Sequence, residues 1–440
     1  GYIATAEQKK KSAGTSPGGK DIPMKVTFDK AKLLAALIPL SGISQVKNTI
    51  TNVDGLLFEC PPNARYGAFD GDPLTTCRIS SFDLEKGIQT TVSCRTEEEG
   101  MYVINTNKIL QIIKVLPDGE ITIEIDARNR VRVTGGQSNF EITAQNGMDF
   151  PTMPMFKGDR VYTLPQHTVR DLIDATVFAV AQNDQRPAFN GALLRIQDGV
   201  FTMVGSDGNR LAITRTSLPD PASAPDAEMV IPGKYLLELS RMLRDTEEDT
   251  TMILSRKHII FKIDDIYFFT RMIEHAYMQY ERVLPQVYRS QCYVSAAELT
   301  GAIERASLVT EDRLGGNSKP YLKLTFARDH IEIYSVSSGG SIEESVPAAL
   351  EGDEVIIGFT CRLLLDTLRA VPADTETLRL RLNSPIMGVT IESAALPPLC
   401  EASPDPEVFG DRVLDTLPAE KPDGAVLESM YLVMPTRMNK

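Results

Sequence analysis

The side chains best suited to chemistry in this sequence are not spaced for the familiar reactions. The four histidines, His167, His258, His275 and His330, share neither helical nor hairpin spacing, so no metal centre is expected. The six cysteines, Cys60, Cys77, Cys94, Cys292, Cys361 and Cys400, contain no CxxC pair and read as free thiols of a reducing compartment. A nucleophile elbow, a phosphate-cradling Walker loop, a GxGxxG turn and an HExxH helix are all absent. The nearest string to an elbow is Gly205-Ser206-Asp207-Gly208. Glu124, between Ile123 and Ile125, fits the solvent face of an alternating strand. No catalytic residue and no cofactor is therefore expected.

What remains is electrostatic. Three segments carry apolar stripes at helical spacing with cations on the opposite face. In the first, Ile109, Leu110, Ile112, Ile113 and Leu116 are apolar, and Lys108, Gln111 and Lys114 lie opposite. In the second, Leu236, Leu239, Met242 and Leu243 oppose Lys234, Arg241 and Arg244. In the third, Leu364, Leu365, Leu368 and Val371 oppose Arg362 and Arg369. Glu238 and Asp366 interleave the stripes. One such face would read as ordinary solvated helix. Three at equivalent places suggest a basic surface that meets phosphates without reading bases.

The elements that would position these faces repeat. A short strand, a polar turn and an apolar-striped helix occur at Lys25, Val161 and Cys292. A second strand and turn, then a helix opened by Lys108, Lys234 or Arg362, follow in each copy. Both markers recur with a period of about 130 residues. Alternating runs such as 121–125, 130–134, 259–263 and 378–382 suit half-buried antiparallel strands. Each copy thus holds two helices and roughly eight strands, an α+β fold with helices on antiparallel sheets. The domains are placed at about 24–155, 156–287 and 288–440. Residues 1–23, polar and rich in Lys, Gly and Ser, read as a flexible leader or tag. Residues 395–426, rich in Pro and acid, read as a long surface loop interrupting the third copy.

Composition bounds the function classes. The 440 residues are 42% hydrophobic and 24% charged, as in ordinary globular proteins. No run of 18 apolar residues exists, so a membrane-spanning helix is excluded. A net charge of −13 argues at first sight against nucleic acid, unless the cations are segregated onto one surface.

The triplication, SDGNRLA at 206–212, YERVLP at 280–285 and YLVMPTR at 431–437 resemble the bacterial DNA polymerase III beta subunit, the sliding-clamp family. The resemblance spans 24–440 apart from 395–426. It implies three clamp domains per chain and a head-to-tail homodimeric ring around double-stranded DNA, cytoplasmic and without chemistry of its own. It implies as partners the polymerase III catalytic subunit, a clamp loader and other proteins with clamp-binding peptides. By position, phosphate contacts fall on Lys47, Lys108, Lys114, Lys234 and Arg241, with Arg362 added from the repeat; Asn107 stands where the family can carry Arg. The partner-peptide cleft falls on Phe189, Ser206, Gly208, Asn209, Arg210, Leu211, Arg282 and Val283, with Val433, Met434, Pro435, Thr436, Arg437 and Met438. There Leu, Val and Met would make an adaptable apolar pocket, and Asn and Arg would orient a peptide backbone. The ring-closing interface falls on Ile112 and Phe140 facing Leu308 and Val309, with Glu343 and Glu344 opposite basic residues. The rival reading is a peptide-binding scaffold that never encircles DNA, its basic stripes being plain solvated faces.

Overall fold

The computed structural model describes residues 24–42, 55–62, 75–154, 156, 158, 160–310, 321–412, 414 and 426–438. Two compact units emerge. One comprises residues up to Phe156 with Asp265–Tyr267, the other Lys157–Asp264 and Phe268 onward.

The first unit is built from β1 (Met24–Asp29), β2 (Gly55–Cys60), β3 (Thr76–Phe82), β4 (Lys86–Glu98), β5 (Gly100–Asn105), β6 (Glu120–Ile125), β7 (Arg130–Gly135) and β8 (Ser138–Asn146). Their hydrogen-bonded order is β1-β6-β7-β8-β5-β2-β3-β4, and β4 returns to pair with β1. The alternation read in 121–125 and 130–134 puts Ile121, Ile123, Ile125, Val131 and Val133 in the core with no exposed surface. Helix α1 (Lys30–Leu40) follows β1 and α2 (Thr106–Val115) follows β5. Asp29 caps α1 through the Lys32 amide and Asn105 caps α2 through the Lys108 amide, satisfying donors that a helix start leaves unpaired.

The second unit repeats this plan twice. Its first copy has β9 (Arg160–Pro165), β10 (Gly191–Gln197), β11 (Val200–Ser206), β12 (Arg210–Ser217), β13 (Ala227–Pro232), β14 (Asp249–Leu254), β15 (His258–Ile263) and β16 (Ile266–Arg271). Helix α3 (Gln166–Asp174) follows β9 and α4 (Gly233–Met242) follows β13. Its second copy has β17 (Val287–Tyr288), β18 (Ser290–Ser295), β19 (Leu322–Phe326), β20 (His330–Ser337), β21 (Gly340–Gly352), β22 (Val355–Phe359), β23 (Thr377–Leu382), β24 (Val389–Ser393), β25 (Ser403–Pro404) and β26 (Glu428–Val433). Helix α5 (Ala296–Thr310) follows β18, α6 (Cys361–Ala370) follows β22, and the short α7 (Pro406–Phe409) follows β25.

Strand order exposes the equivalence. The set β1-β6-β7-β8 matches β9-β14-β15-β16 and β18-β23-β24-β26, while β5-β2-β3-β4 matches β13-β10-β11-β12 and β22-β19-β20-β21. In each copy the two helices pack on one another. Within the second unit the copies fuse edge to edge. Strand β12 pairs antiparallel with β26, Arg210 opposite Val433 and Leu211 opposite Leu432. Beneath this junction Leu211, Val204, Leu193, Tyr280, Met430 and Leu432 form one buried cluster. Each fully buried leucine there contributes about 1.5–3 kcal/mol.

The same edge types stay open elsewhere. Strand β8 corresponds to β26, and its residues 138–143 pair only with β7 among the described residues. Strand β21 corresponds to β12, and its residues 340–347 pair only with β20 among the described residues.

The described part of 395–426 is not the loop the sequence suggested. Ser403 and Pro404 pair in parallel with Val287 and Tyr288, and Cys400 and Phe409 are buried. Two buried arginines explain the anchoring, since a buried guanidinium needs acceptors. Arg381 donates to the Cys400 carbonyl at 3.0 Å, and Arg379 to the Leu396 carbonyl at 3.1 Å and the Glu392 carboxylate at 3.3 Å.

Candidate functional site

The end of the β12–β26 junction collects most of the expected cleft residues. The turn before β12 is set by Asp207, which accepts the Asn209 amide at 2.8 Å and the Arg210 amide at 3.1 Å. Ser206 donates its hydroxyl to the Arg210 carbonyl at 2.8 Å. Gly208 has φ +88°, a conformation that strains any residue with a Cβ. The Met434 amide donates to the Asn209 carbonyl at 2.8 Å, carrying the ladder one residue past Val433. Strand β24 flanks β26 on its other side, Val389 opposite Val433.

Several apolar side chains are left open at this end. Leu211 and Val433 are buried floor residues, but Met434 is 38% exposed. Gly388, just before β24, lies against Leu432 and the Met434 sulfur; a Cβ there would come within 2.6 Å of Leu432. The turn leading into it exposes Ile386 and Met387. Sequence reasoning missed both, although a Pro-Ile-Met-Gly turn holding two large apolar residues is unusual at a surface. Val283 is half exposed beside Leu284, which packs on the junction cluster.

The rim is cationic. Arg186 stacks over the Phe189 ring at 3.9 Å and pairs with Asp184 at 2.9 Å. That guanidinium, with the Arg186 amide, holds the Asp184 carboxyl down at about 2. Phe189 in turn faces Tyr277, ring centroids 6.4 Å apart. Burial pushes the Tyr277 hydroxyl up, opposed in part by the Ser206 backbone. Arg282 and Arg437 are exposed.

Several expected positions are engaged within the chain. Arg210 is one of them. It donates to Asp207 at 3.0 Å, to Asp366 on α6 at 3.2 Å and to the Phe178 carbonyl at 2.9 Å, so it fixes the turn. The tail beyond Pro435 is tied to β22, the Thr436 amide donating to the Gly358 carbonyl at 2.8 Å and Met438 packing on Gly358. Ile112, expected on the ring-closing face, is buried in its own helix's apolar face. Phe140 and Val309 are half-buried, Leu308 is 79% exposed and Glu343 is exposed. Glu344 is engaged by Arg305 of its own chain, whose guanidinium depresses its pKa.

The basic helix faces also divide. Lys108 and Lys114 are exposed on α2 and form no ion pair among the described residues. Arg241 on α4 is likewise exposed, while Lys234 lies 4.5 Å from the Tyr235 ring centroid. On α6, Arg362 pairs with Asp366 at 3.8 Å and Arg369 with Glu304 at 3.1 Å. Met242 and Val371, expected in the core, are partly exposed at the ends of their helices. Lys47 lies outside the described residues. Among the described residues no group of three or more His, Cys, Asp or Glu is placed to hold a metal, and no helix is long and apolar enough to cross a membrane.

Three family models match in succession: the DNA polymerase III beta subunit N-terminal domain at residues 72–154, its central domain at 163–279 and its C-terminal domain at 281–396. A beta sliding clamp of Halalkalibacterium halodurans is 30% identical over 304 residues, 68% of this chain and 77% of that protein. The chain belongs to the DNA polymerase III beta subunit family, the beta sliding clamps. Another relative, from Salmonella typhimurium, is 28% identical over 378 residues, 84% of this chain and 96% of that clamp. The fold is that of solved clamps. The Bacillus subtilis clamp aligns over 94% of this chain and 100% of its own at 22% identity and a TM-score of 0.80. The Pseudomonas aeruginosa clamp bound to griselimycin aligns over the same shares at 24% identity and 0.76.

Proposed function

We propose that two copies of this chain close head to tail into a ring around duplex DNA and tether the polymerase III catalytic subunit, a clamp loader and other proteins through peptides held at the β12–β26 end. The single observation that carries ring closure is the pair of unused edges. Inside the second unit a β4-type edge, β12, is closed by a β8-type edge, β26. A further edge of each type, β21 and β8, is half-paired along its length among the described residues. Joining β21 of one copy to β8 of another satisfies both, and two-fold symmetry makes the contact twice. Exposed Leu308, with half-buried Val309 on the same helix end and Phe140 on β8, supplies apolar surface for that contact.

Lys108, Lys114 and Arg241 then act as phosphate contacts without base readout, which lets a ring slide. Lys234 and Arg362 add to that field, and Lys47 keeps its assignment from family resemblance. Acidic surface elsewhere steers DNA toward these cations. Phe189, Asn209, Val283, Met434, Ile386 and Met387 form the peptide pocket, with Arg186, Arg282 and Arg437 at its rim. The protein carries no chemistry of its own and works in the cytoplasm. The test is retention on circular DNA: protein loaded on nicked circles by a compatible loader should survive a high-salt sizing column and be lost once the circles are linearised. Equal loss from both forms, with a control clamp retained on circles, would favour the scaffold reading instead.

A further inference from the structure

Three thiols converge in the first unit, and no part of the clamp reading uses them. Cys60 ends β2 and Cys77 lies near the start of β3. Glu59 is opposite Arg78 in the register, which sets Cys60 across from Cys77. Their sulfurs are 2.9 Å apart. That is shorter than an ordinary van der Waals contact between sulfurs, though still longer than the bond of about 2.0 Å in a disulfide. The strands are held there by a two-pronged ion pair between Arg78 and Glu59, both buried. Cys94 on β4 donates its amide to the Thr75 carbonyl at 2.8 Å, its thiol lies 3.5 Å from the Thr96 hydroxyl, and the Cys60 thiol is near enough to raise its pKa. Cys60 and Cys77 have no exposed surface, whereas Cys94 is partly exposed. Cys292, Cys361 and Cys400 sit in the other unit and serve as internal controls.

We propose that Cys60 and Cys77 are an oxidisable pair that closes into a buried cross-strand disulfide, with Cys94 as the thiol that meets the oxidant, a hydroperoxide. The Cys94 sulfur takes the terminal peroxide oxygen as the O–O bond breaks, and an alcohol or water leaves, giving a sulfenic acid. The Cys60 sulfur displaces that oxygen, which departs as water with the Cys60 proton, and a Cys60–Cys94 bond forms. Cys77 then attacks the Cys60 sulfur. The electron pair of the broken bond returns to Cys94, which regains a proton from Cys77. Two thiols and one hydroperoxide become one disulfide, one alcohol and one water. Burial pushes Cys60 and Cys77 up, and the Cys60 thiol together with burial pushes Cys94 up, so the reactive thiolates are scarce at neutral pH and oxidation accelerates as pH rises.

The experiment treats the full chain with hydrogen peroxide, alkylates it in denaturant with iodoacetamide, and maps the peptides by mass spectrometry. The expected product links Cys60 to Cys77 and leaves Cys94, Cys292, Cys361 and Cys400 alkylated. Cys94→Ser should slow that link by about tenfold or more, and Cys77→Ser should trap a Cys60–Cys94 link. Six alkylated cysteines, in a tube where added glutathione has been fully oxidised, would overturn the pair. An unchanged rate in Cys94→Ser would overturn the relay. Should Cys77→Ser fail to fold by circular dichroism, the wild-type map and the Cys94→Ser rate decide both points.

Discussion

Two edges of one type have different fates in this chain. Strand β26 is closed by β12, and behind that pairing lies a sealed apolar cluster with Leu432 only 4% exposed. Strand β8 has the same place in its repeat, yet residues 138–143 have one neighbour strand among the described residues and Phe140 stays half-buried. The backbone plan is shared; what differs is whether a partner edge exists within the same chain. Under the proposed ring closure, the half-paired β8 of one copy would meet the half-paired β21 of another, and a closed dimer rather than a filament results when the rotation closes.

The comparison can be broken first at the open edge. Leu308→Asp should leave the fold intact, because its side chain is 79% exposed, and should convert dimers to monomers. A buried unpaired charge costs roughly 3–5 kcal/mol and would recur at both junctions. Light scattering reports the mass, and a dimer of unchanged mass would sink the assignment. At the closed edge the opposite holds. Leu432→Ala should lower folding stability by about 2–5 kcal/mol through cavity formation, seen as an earlier midpoint in denaturant. A loss below about 0.5 kcal/mol, typical of surface positions, would mean the closed junction is no tighter than the open one.

At this end Met434 is held on both sides, its amide donating to the Asn209 carbonyl beside β12 and its sulfur lying against Gly388 before β24. Met434→Glu should therefore weaken a polymerase tail peptide by about 10- to 100-fold in fluorescence polarisation, equivalent to about 1.4–2.7 kcal/mol, without changing the dimer. Unaltered affinity would move the peptide elsewhere. The helix faces give a smaller effect. Lys108→Ala with Lys114→Ala should reduce the slope of log affinity against log salt for short duplex DNA by about two. Arg362→Ala with Arg369→Ala should change it by less, because both arginines are already met by Asp366 and Glu304. Equal slopes in the two double variants would erase the distinction between these helices.

Much of this was legible in the sequence for a physical reason. Helical and strand periodicities are local, so the apolar faces of α2, α4 and α6 and the alternation of β6 and β7 follow from spacing alone. Repetition at a fixed period then gives the three-copy plan without any contact information. Electrostatic partners are not local. Asp366 lies 156 residues from Arg210, and no spacing rule links them. The same holds for Glu304 with Arg369 and Glu344 with Arg305, which is why the cations of the third helix looked as free as those of the first. The 395–412 segment misled because Pro and acid are loop signals, while its anchors, Arg379 and Arg381, read as ordinary members of an alternating strand. Ile386 and Met387 were passed over because no repeat marker falls on them.

The smallest effect sharpens the comparison beside the open edge. His330 on β20 stands opposite Pro347 of β21, next to the half-paired stretch. Hydrogen bonds and charge from Asp329, then Glu332, raise its pKa above the ordinary value of 6.5. A histidine raised on folding adds stability that is fully present below about pH 6.5 and is lost as pH climbs through the raised value. Because the ring is at the surface, the energy is small and salt-sensitive. A proton NMR titration should place His330 above a free histidine, and Asp329→Asn should bring it back toward 6.5. If β21 is covered by β8 of a second copy, Leu308→Asp monomers and wild-type dimers should titrate this ring differently. Identical curves for the two species would mean that nothing charged or bulky arrives near Pro347 on assembly, and would shift the ring-closing contact toward the Gly340 end of β21.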